Sequence, residues 1–179
     1  MNEALGWVRW WSQPWWQAHE SWWPTSLQSL SPQRLAGLAE GYHQSIGVEF
    51  GIEPAMPERA DEALQALVLS APTRWQLTLA LASTMCDPGR ETGLTVAQHR
   101  WCERIARGLR PGHWLEPGGD VLMLLREWVS EPCWARLRLR FCRQRVASLE
   151  HQPRPGALHA GRLETFWQAA IWQSQDADR

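Results

Sequence analysis

Proline placement constrains this chain more than any other feature. Twelve prolines stand between runs of roughly 10 to 20 residues in which leucine and alanine far outnumber valine and isoleucine. Proline opens or ends a helix and withholds the N–H that a central strand needs. Between the prolines the apolar residues recur at helical spacing. Together these features predict an all-α fold, a compact single-domain multi-helix bundle. A chain of 179 residues and 20.6 kDa buries roughly 70% of the surface its unfolded form exposes, enough for a core without metal or disulfide staples.

Individual helices carry their own signals. Ser31 before Pro32 reads as an N-cap with proline at the first helical position, with Leu30 as a staple onto Leu35 and Leu35, Leu38, Ala39 and Tyr42 on one side. Pro57 reads as the opening of a helix with Ala60, Ala63, Leu64 and Leu67 inward. Thr95 and Gln98 form a capping box, and Trp101, Ile105 and Leu109 follow four apart until Arg110-Pro111-Gly112 stops the helix. Val121, Leu124, Leu125 and Trp128 give the next helix its apolar face, and Ser130 with Pro132 starts another. A loop over 151–161 precedes a last helix over 162–175 carrying Leu163, Phe166, Trp167, Ala170 and Ile171. Residues 1–30 form a tryptophan-rich N-terminal segment, and 31–150 the helical core.

Two stretches compete with this assignment. WQLTLAL from Trp75 and RLRLRF from Arg136 alternate with period two, a strand signal on their own. Each lies in a longer proline-bounded run poor in β-branched residues, with Leu77, Leu81 and Met85, or Cys133, Leu137 and Phe141, at helical spacing. Both are assigned as helices. A continuous helix over 131–149 puts Cys133, Leu137 and Phe141 on one face and Leu139, Cys142 and Val146 on the opposite one. Arg136, Arg140 and Arg143 then run down one flank, and Arg138 and Arg145 down the other. Such a helix needs an apolar neighbour on each side, from its own bundle or from another protein. Arg100, Arg104 and Arg107 share one stripe of the preceding helix, with Glu103 four residues before Arg107 as a local partner.

The segment WVRWWSQPWWQAHESWWP, from Trp7 to Pro24, holds seven of the fourteen tryptophans, six of them in three adjacent pairs. A single-strand nucleic-acid platform interleaves aromatics with basic residues, and a membrane-surface helix carries lysine or arginine on its polar face; here only Arg9 is basic. Trp7, Trp11 and Trp15 form one helical row, with Trp16 and Trp23 continuing around the bundle, so the rings are expected to drape over the chain's own helices. A subset facing a partner is the rival reading.

Composition narrows the function classes. The formal charge is −1 and the pI near 6.6, which disfavours nucleic acid as a partner. All eighteen basic residues are arginine, whose planar forks suit carboxylate pairing. The N-terminus shows no charged region leading into an apolar one, and no apolar run reaches the roughly 18 to 20 residues of a spanning helix, so a cytoplasmic protein without membrane insertion is expected. Cys86, Cys102, Cys133 and Cys142 are irregularly spaced and read as reduced core thiols; His99 with Cys102 is a far weaker reading as part of a zinc set. No phosphate loop, H-E-x-x-H motif or nucleophile elbow is present. No catalytic residue, metal, cofactor or small-molecule substrate is expected.

The stretches LTVAQHRWCERIARGLRPGHWL and LLREWVSEPCWARLRLRFCRQRV resemble the C-terminal half of the SctK-type accessory proteins of the type III secretion sorting platform, the group that includes the OrgA and MxiK types. The shared features are a helix with spaced arginines, a glycine-containing turn, the Trp134 to Arg140 run and Arg145-Val146. The likeness covers roughly residues 94–149; the first ninety residues match only in general character, and Cys142 stands where the family pattern has proline. The resemblance implies a non-enzymatic adaptor, recruited from the cytoplasm to the inner membrane. Its implied partners are the forkhead-associated-like cytoplasmic domain of the inner-membrane ring protein and the C-ring-like platform protein. Arg100, Arg104, Arg107, Arg136, Arg140 and Arg143 are the candidate partner-binding residues. The alternative is a helical chaperone or regulator, nucleic-acid binding through its arginine stripes.

Overall fold

The structure, a computed structural model, describes residues 3–59, 61–116, 118–155 and 158–176. Among them lie ten α-helices and no strand: α1 (Glu3–Ser12), α2 (Thr25–Gln28), α3 (Pro32–Glu49), α4 (Glu62–Val68), α5 (Pro72–Cys86), α6 (Val96–Leu109), α7 (Leu122–Trp128), α8 (Glu131–Leu137), α9 (Arg143–Glu150) and α10 (Ala160–Asp176). The fold is all-α. Both period-two stretches are free of strand: Trp75 to Leu81 lies within α5, and Arg136 to Phe141 runs from the end of α8 through a 3₁₀ turn over Arg138–Arg140. The chain separates into two compact units, Met1–Ala60 with Ser130–Gln152, and Asp61–Val129 with Pro153–Arg179.

The first unit is organised by tryptophan. In α1, Trp7, Trp10 and Trp11 are buried, and Trp15 joins them from a 3₁₀ turn opened by Pro14. Trp15 stacks on Phe50 with ring centroids 6.2 Å apart, in a cluster with Leu35, Ala39, Ile46, Ile52 and Leu139. Trp16 is 40% exposed, so the expected continuation of the row through Trp16 fails: the break after Ser12 turns that ring outward. Ser31 caps α3 by accepting from the Arg34 N–H. Leu35 and Ala39 are buried as expected, but Leu38 is exposed and Tyr42 is 63% exposed. Tyr42 departs from helical geometry at φ −127°, ψ 24°, and this kink hands the buried face to Ile46, Gly47 and Phe50.

At the end of α3, Gly51 at φ +70° lets the Ile52 N–H reach the Gly47 carbonyl and the Gly51 N–H reach Val48, both pairs of a Schellman turn. Ile52 is thereby driven into the core, and the chain leaves as a strap without regular secondary structure over 52–59. The helix expected from Pro57 does not form there. The carbonyls of Glu58 and Ala55 instead accept from the Trp7 and Trp11 indole N–H groups, each at 2.9 Å. α4 begins after Asp61, whose carboxylate accepts from the Leu64 N–H at 2.7 Å. Ala63 and Leu67 are buried and Leu64 half-buried; Ala60 lies outside the described residues.

In the second unit α10 packs against α4, α5 and α7, and α5 against α6. Trp167 is fully buried, donates to the Leu124 carbonyl at 3.2 Å, and stacks on Trp128. Leu163, Phe166, Ala170 and Ile171 are buried with it, and the helix runs slightly beyond the expected 162–175. The Thr78 and Ser174 hydroxyls share a buried hydrogen bond between α5 and α10. The capping box of α6 is complete: the Gln98 N–H donates to Thr95 Oγ1 at 3.3 Å, and Gln98 Oε1 accepts from the Thr95 N–H at 2.9 Å. Arg110 adopts the left-handed conformation at φ 49°, and Pro111 ends the helix. No helix among the described residues is long and apolar enough to cross a membrane.

Candidate protein interface

The stripe on α6 is the simplest of the candidate surfaces. Arg100, Arg104 and Arg107 are all exposed, within a 60° sector of the helix and spread over about 10 Å of its axis. The buried side of α6 centres on Cys102, with Trp101, Ile105 and Leu109 half-buried around it. Glu103 does not serve Arg107. Its Oε1 lies 3.6 Å from Nδ1 of His99, one turn earlier. No carboxylate among the described residues lies within ion-pair distance of the three guanidiniums.

The second candidate stripe does not exist as a stripe. Residues 131–149 are not one helix: α8 ends at Leu137, the 3₁₀ turn follows, and Phe141 is extended at φ −110°, ψ 155° before Cys142 takes the N-cap position of α9. The break is held from the N-terminal segment. The Leu139 carbonyl accepts from the His19 N–H at 2.7 Å, the Phe141 carbonyl accepts from the Trp22 indole at 2.7 Å, and the Arg143 N–H donates to Ser21 Oγ at 2.9 Å. Backbone groups freed by ending the helix are thus satisfied. Both apolar rows find cover within the chain: Cys133, Leu137, Phe141, Leu139 and Val146 are all buried.

Each arginine of this region meets a different fate. Arg136 is 3% exposed, so its assignment to an exposed partner-facing stripe is corrected: its side chain is buried within the first unit. Its Cζ lies 4.1 Å from the centre of the Trp11 ring, and its N–H groups donate to the carbonyls of Trp11 (2.8 Å), Pro132 (2.8 Å) and Glu53 (3.4 Å). Burial lowers its pKa from the ordinary guanidinium value, opposed in part by the fields of Cys133 and Glu58. Arg140 is half-buried, bonds Gln17, and is lowered by burial to about 9. Arg143 is exposed at the start of α9, its guanidinium 5.3 Å from the Trp22 ring.

Sequence reasoning missed the rest of this cluster. Arg138 lies 5.4 Å from the same Trp22 ring and pairs with Glu150 at 3.3 Å. Glu150 also accepts from the Trp134 indole at 2.9 Å. The missed signal was the coexistence of a tryptophan-rich segment with an arginine-rich one, since guanidinium planes stack on indole faces.

All four cysteines are free, with Cys102 and Cys133 buried and Cys86 and Cys142 half-buried. Burial pushes the Cys86 thiol up to about 12, assisted by Asp87, and Cys102 up to about 11. The Cys142 thiol is lowered, chiefly by the N–H groups of Arg145 and Gln144 at the start of α9. No group of three or more His, Cys, Asp or Glu side chains among the described residues is placed to hold a metal ion. Compared with known proteins, the chain matches no family model, no curated protein and no solved structure.

Proposed function

We propose that the chain is a non-enzymatic helical adaptor of the type III secretion sorting platform, joining the inner-membrane ring protein's cytoplasmic domain to the C-ring-like platform protein. The observation that carries the reading is the α6 stripe: Arg100, Arg104 and Arg107 share one solvent-exposed face with no carboxylate of the described residues within ion-pair distance. Three arginine forks on a rigid helix suit bidentate pairing with acidic side chains of a partner. A net charge of −1 makes a polyphosphate partner less suited to the chain than a protein. The resemblance over residues 94–149 includes this helix and supplies the partners' identities. Arg143 remains a peripheral candidate.

The test is a triple reversal, Arg100→Glu with Arg104→Glu and Arg107→Glu, titrated calorimetrically against each platform protein separately. Loss of at least tenfold in affinity for one of them is expected, because reversal turns attraction into repulsion. The fold should survive, since solvated surface substitutions usually cost less than about 0.5 kcal/mol each, with somewhat more at Arg107 in the last turn of α6 because a carboxylate there opposes the helix dipole. Unchanged affinity in a folded variant removes the stripe from the interface. Absence of binding by the parent to both proteins refutes the adaptor reading, and salt-steep binding to duplex nucleic acid would move it to the regulator class.

A further inference from the structure

The first unit also holds a groove. It lies between α1, α3 and the 52–59 strap, has a volume of about 240 Å³, and is lined by Val8, Trp15, His43, Ile52, Met56 and Arg136 among others. Pockets for small-molecule ligands run to roughly 300–1,000 Å³. A volume equal to roughly eight waters suits one or two side chains of a protein better than a cofactor.

Two of its lining residues carry donors without acceptors. The Trp15 indole N–H is buried and has no hydrogen-bond partner among the described residues. Arg136 gives three N–H groups to backbone carbonyls, which leaves two of a guanidinium's five. No carboxylate among the described residues lies within ion-pair distance of it. Glu58 acts on it only through its field, and Glu58 Oε2 accepts from Ser130 Oγ. A buried cation held by carbonyls and one ring face alone is an expensive arrangement, and a carboxylate is the group that completes it. At the rim, Met56 is 86% exposed and Val8 47% exposed, an apolar edge beside the charge.

We propose that this groove receives an aspartate or glutamate side chain of a platform partner, with an apolar residue next to it seated on Val8 and Met56. The inference rests on the adaptor reading and deepens it. The α6 stripe belongs to one compact unit and the groove to the other, which gives a protein that joins two partners one docking surface on each unit.

The experiment uses the full chain and the rim, because Arg136 and Trp15 cannot be replaced without disturbing the core. Val8→Glu with Met56→Glu places negative charge at the groove mouth, and Val8→Lys with Met56→Lys places positive charge there. Both are exposed positions, and melting temperatures check that the fold is kept. Against the two platform proteins, the glutamate pair should lose at least tenfold in affinity for the partner that the α6 variant still binds, and the lysine pair should keep most of that affinity. Equal losses in both pairs would mean an apolar contact without a carboxylate and would overturn the proposal, as would no loss in either.

A second readout stands apart from the platform proteins. The peptide acetyl-Leu-Glu-Leu-Leu-amide is titrated while the ¹⁵N-indole resonances of Trp11 and Trp15 are followed, with the Gln peptide as control. Shifts with the Glu peptide only, absent in the Val8→Glu, Met56→Glu variant, are expected. If the parent binds neither platform protein, the adaptor reading falls and this titration alone decides the groove. If both platform proteins bind and the Glu peptide moves no indole resonance more than its Gln control does, the groove proposal falls and the adaptor reading stands.

Discussion

Replacing Trp11 by alanine tests the organisation of the first unit at its centre. The ring is 2% exposed, its centroid lies 5.6 Å from Trp7 and 6.3 Å from Trp10, its N–H donates to Ala55, and Arg136 sits 4.1 Å above it. Truncating a buried tryptophan costs about 3–5 kcal/mol, and loss of a desolvated cation–π contact adds up to about 2 kcal/mol. Because these overlap, about 4–6 kcal/mol is expected, a large share of the roughly 5–15 kcal/mol that holds a typical domain together. Trp11→Phe keeps most of the ring and should cost far less, mainly the hydrogen bond, about 1 kcal/mol. Trp16→Ala, at a ring 40% exposed, should stay within about 1 kcal/mol of the parent. Urea denaturation followed by circular dichroism gives the stabilities. Amide exchange in α1 and α3 compared with α5 and α10 shows which unit is affected, which matters because two units need not unfold together. The reasoning is refuted if Trp11→Ala is as stable as the parent, or if Trp16→Ala costs as much.

Two further outcomes follow from local geometry. Thr95→Ala removes half of the α6 capping box and should cost about 1 kcal/mol, within the usual 0.5–2 range for a cap, seen as a fall in melting temperature of about 2–4 °C; an unchanged temperature would mean that packing alone holds the start of α6. Under iodoacetamide at neutral pH, Cys142 should be modified first, because its lowered thiol offers the most thiolate, while Cys86 and Cys102, raised to about 12 and about 11, react only after unfolding. Peptide mass spectrometry reads the order, and equal labelling of the native thiols would contradict it.

What was legible in the sequence was local. Caps at Ser31, Thr95 and Ser130, the stop at Arg110-Pro111 and the buried face of α10 each need only residues a few positions apart. Where an element is decided by a distant partner, the reading failed. Pro57 resembles a helix start, yet the strap stays non-helical where Trp7 and Trp11, 51 and 44 residues earlier, take the carbonyls of Glu58 and Ala55. Tyr42 fits the period of α3, yet the kink there turns it to solvent.

The RLRLR run shows the same limit for function. Arg136, Arg138 and Arg140 have one chemistry and one spacing, yet the first is sealed over Trp11, the second shares Trp22 and Glu150, and the third is half-buried beside Gln17. Nothing within five residues distinguishes them. The difference comes from α1 and the turns after it, more than a hundred residues away in the chain. A helical wheel assumes that the helix continues and that its polar flank meets water; neither holds once indole faces are available to stack guanidiniums. On α6 both assumptions hold, since the helix is uninterrupted from Val96 to Leu109 and no aromatic ring among the described residues lies under Arg100, Arg104 or Arg107. The α6 stripe is therefore where periodicity and tertiary structure agree on an exposed cationic face, whereas Arg136 lies buried over Trp11 where no periodicity places it.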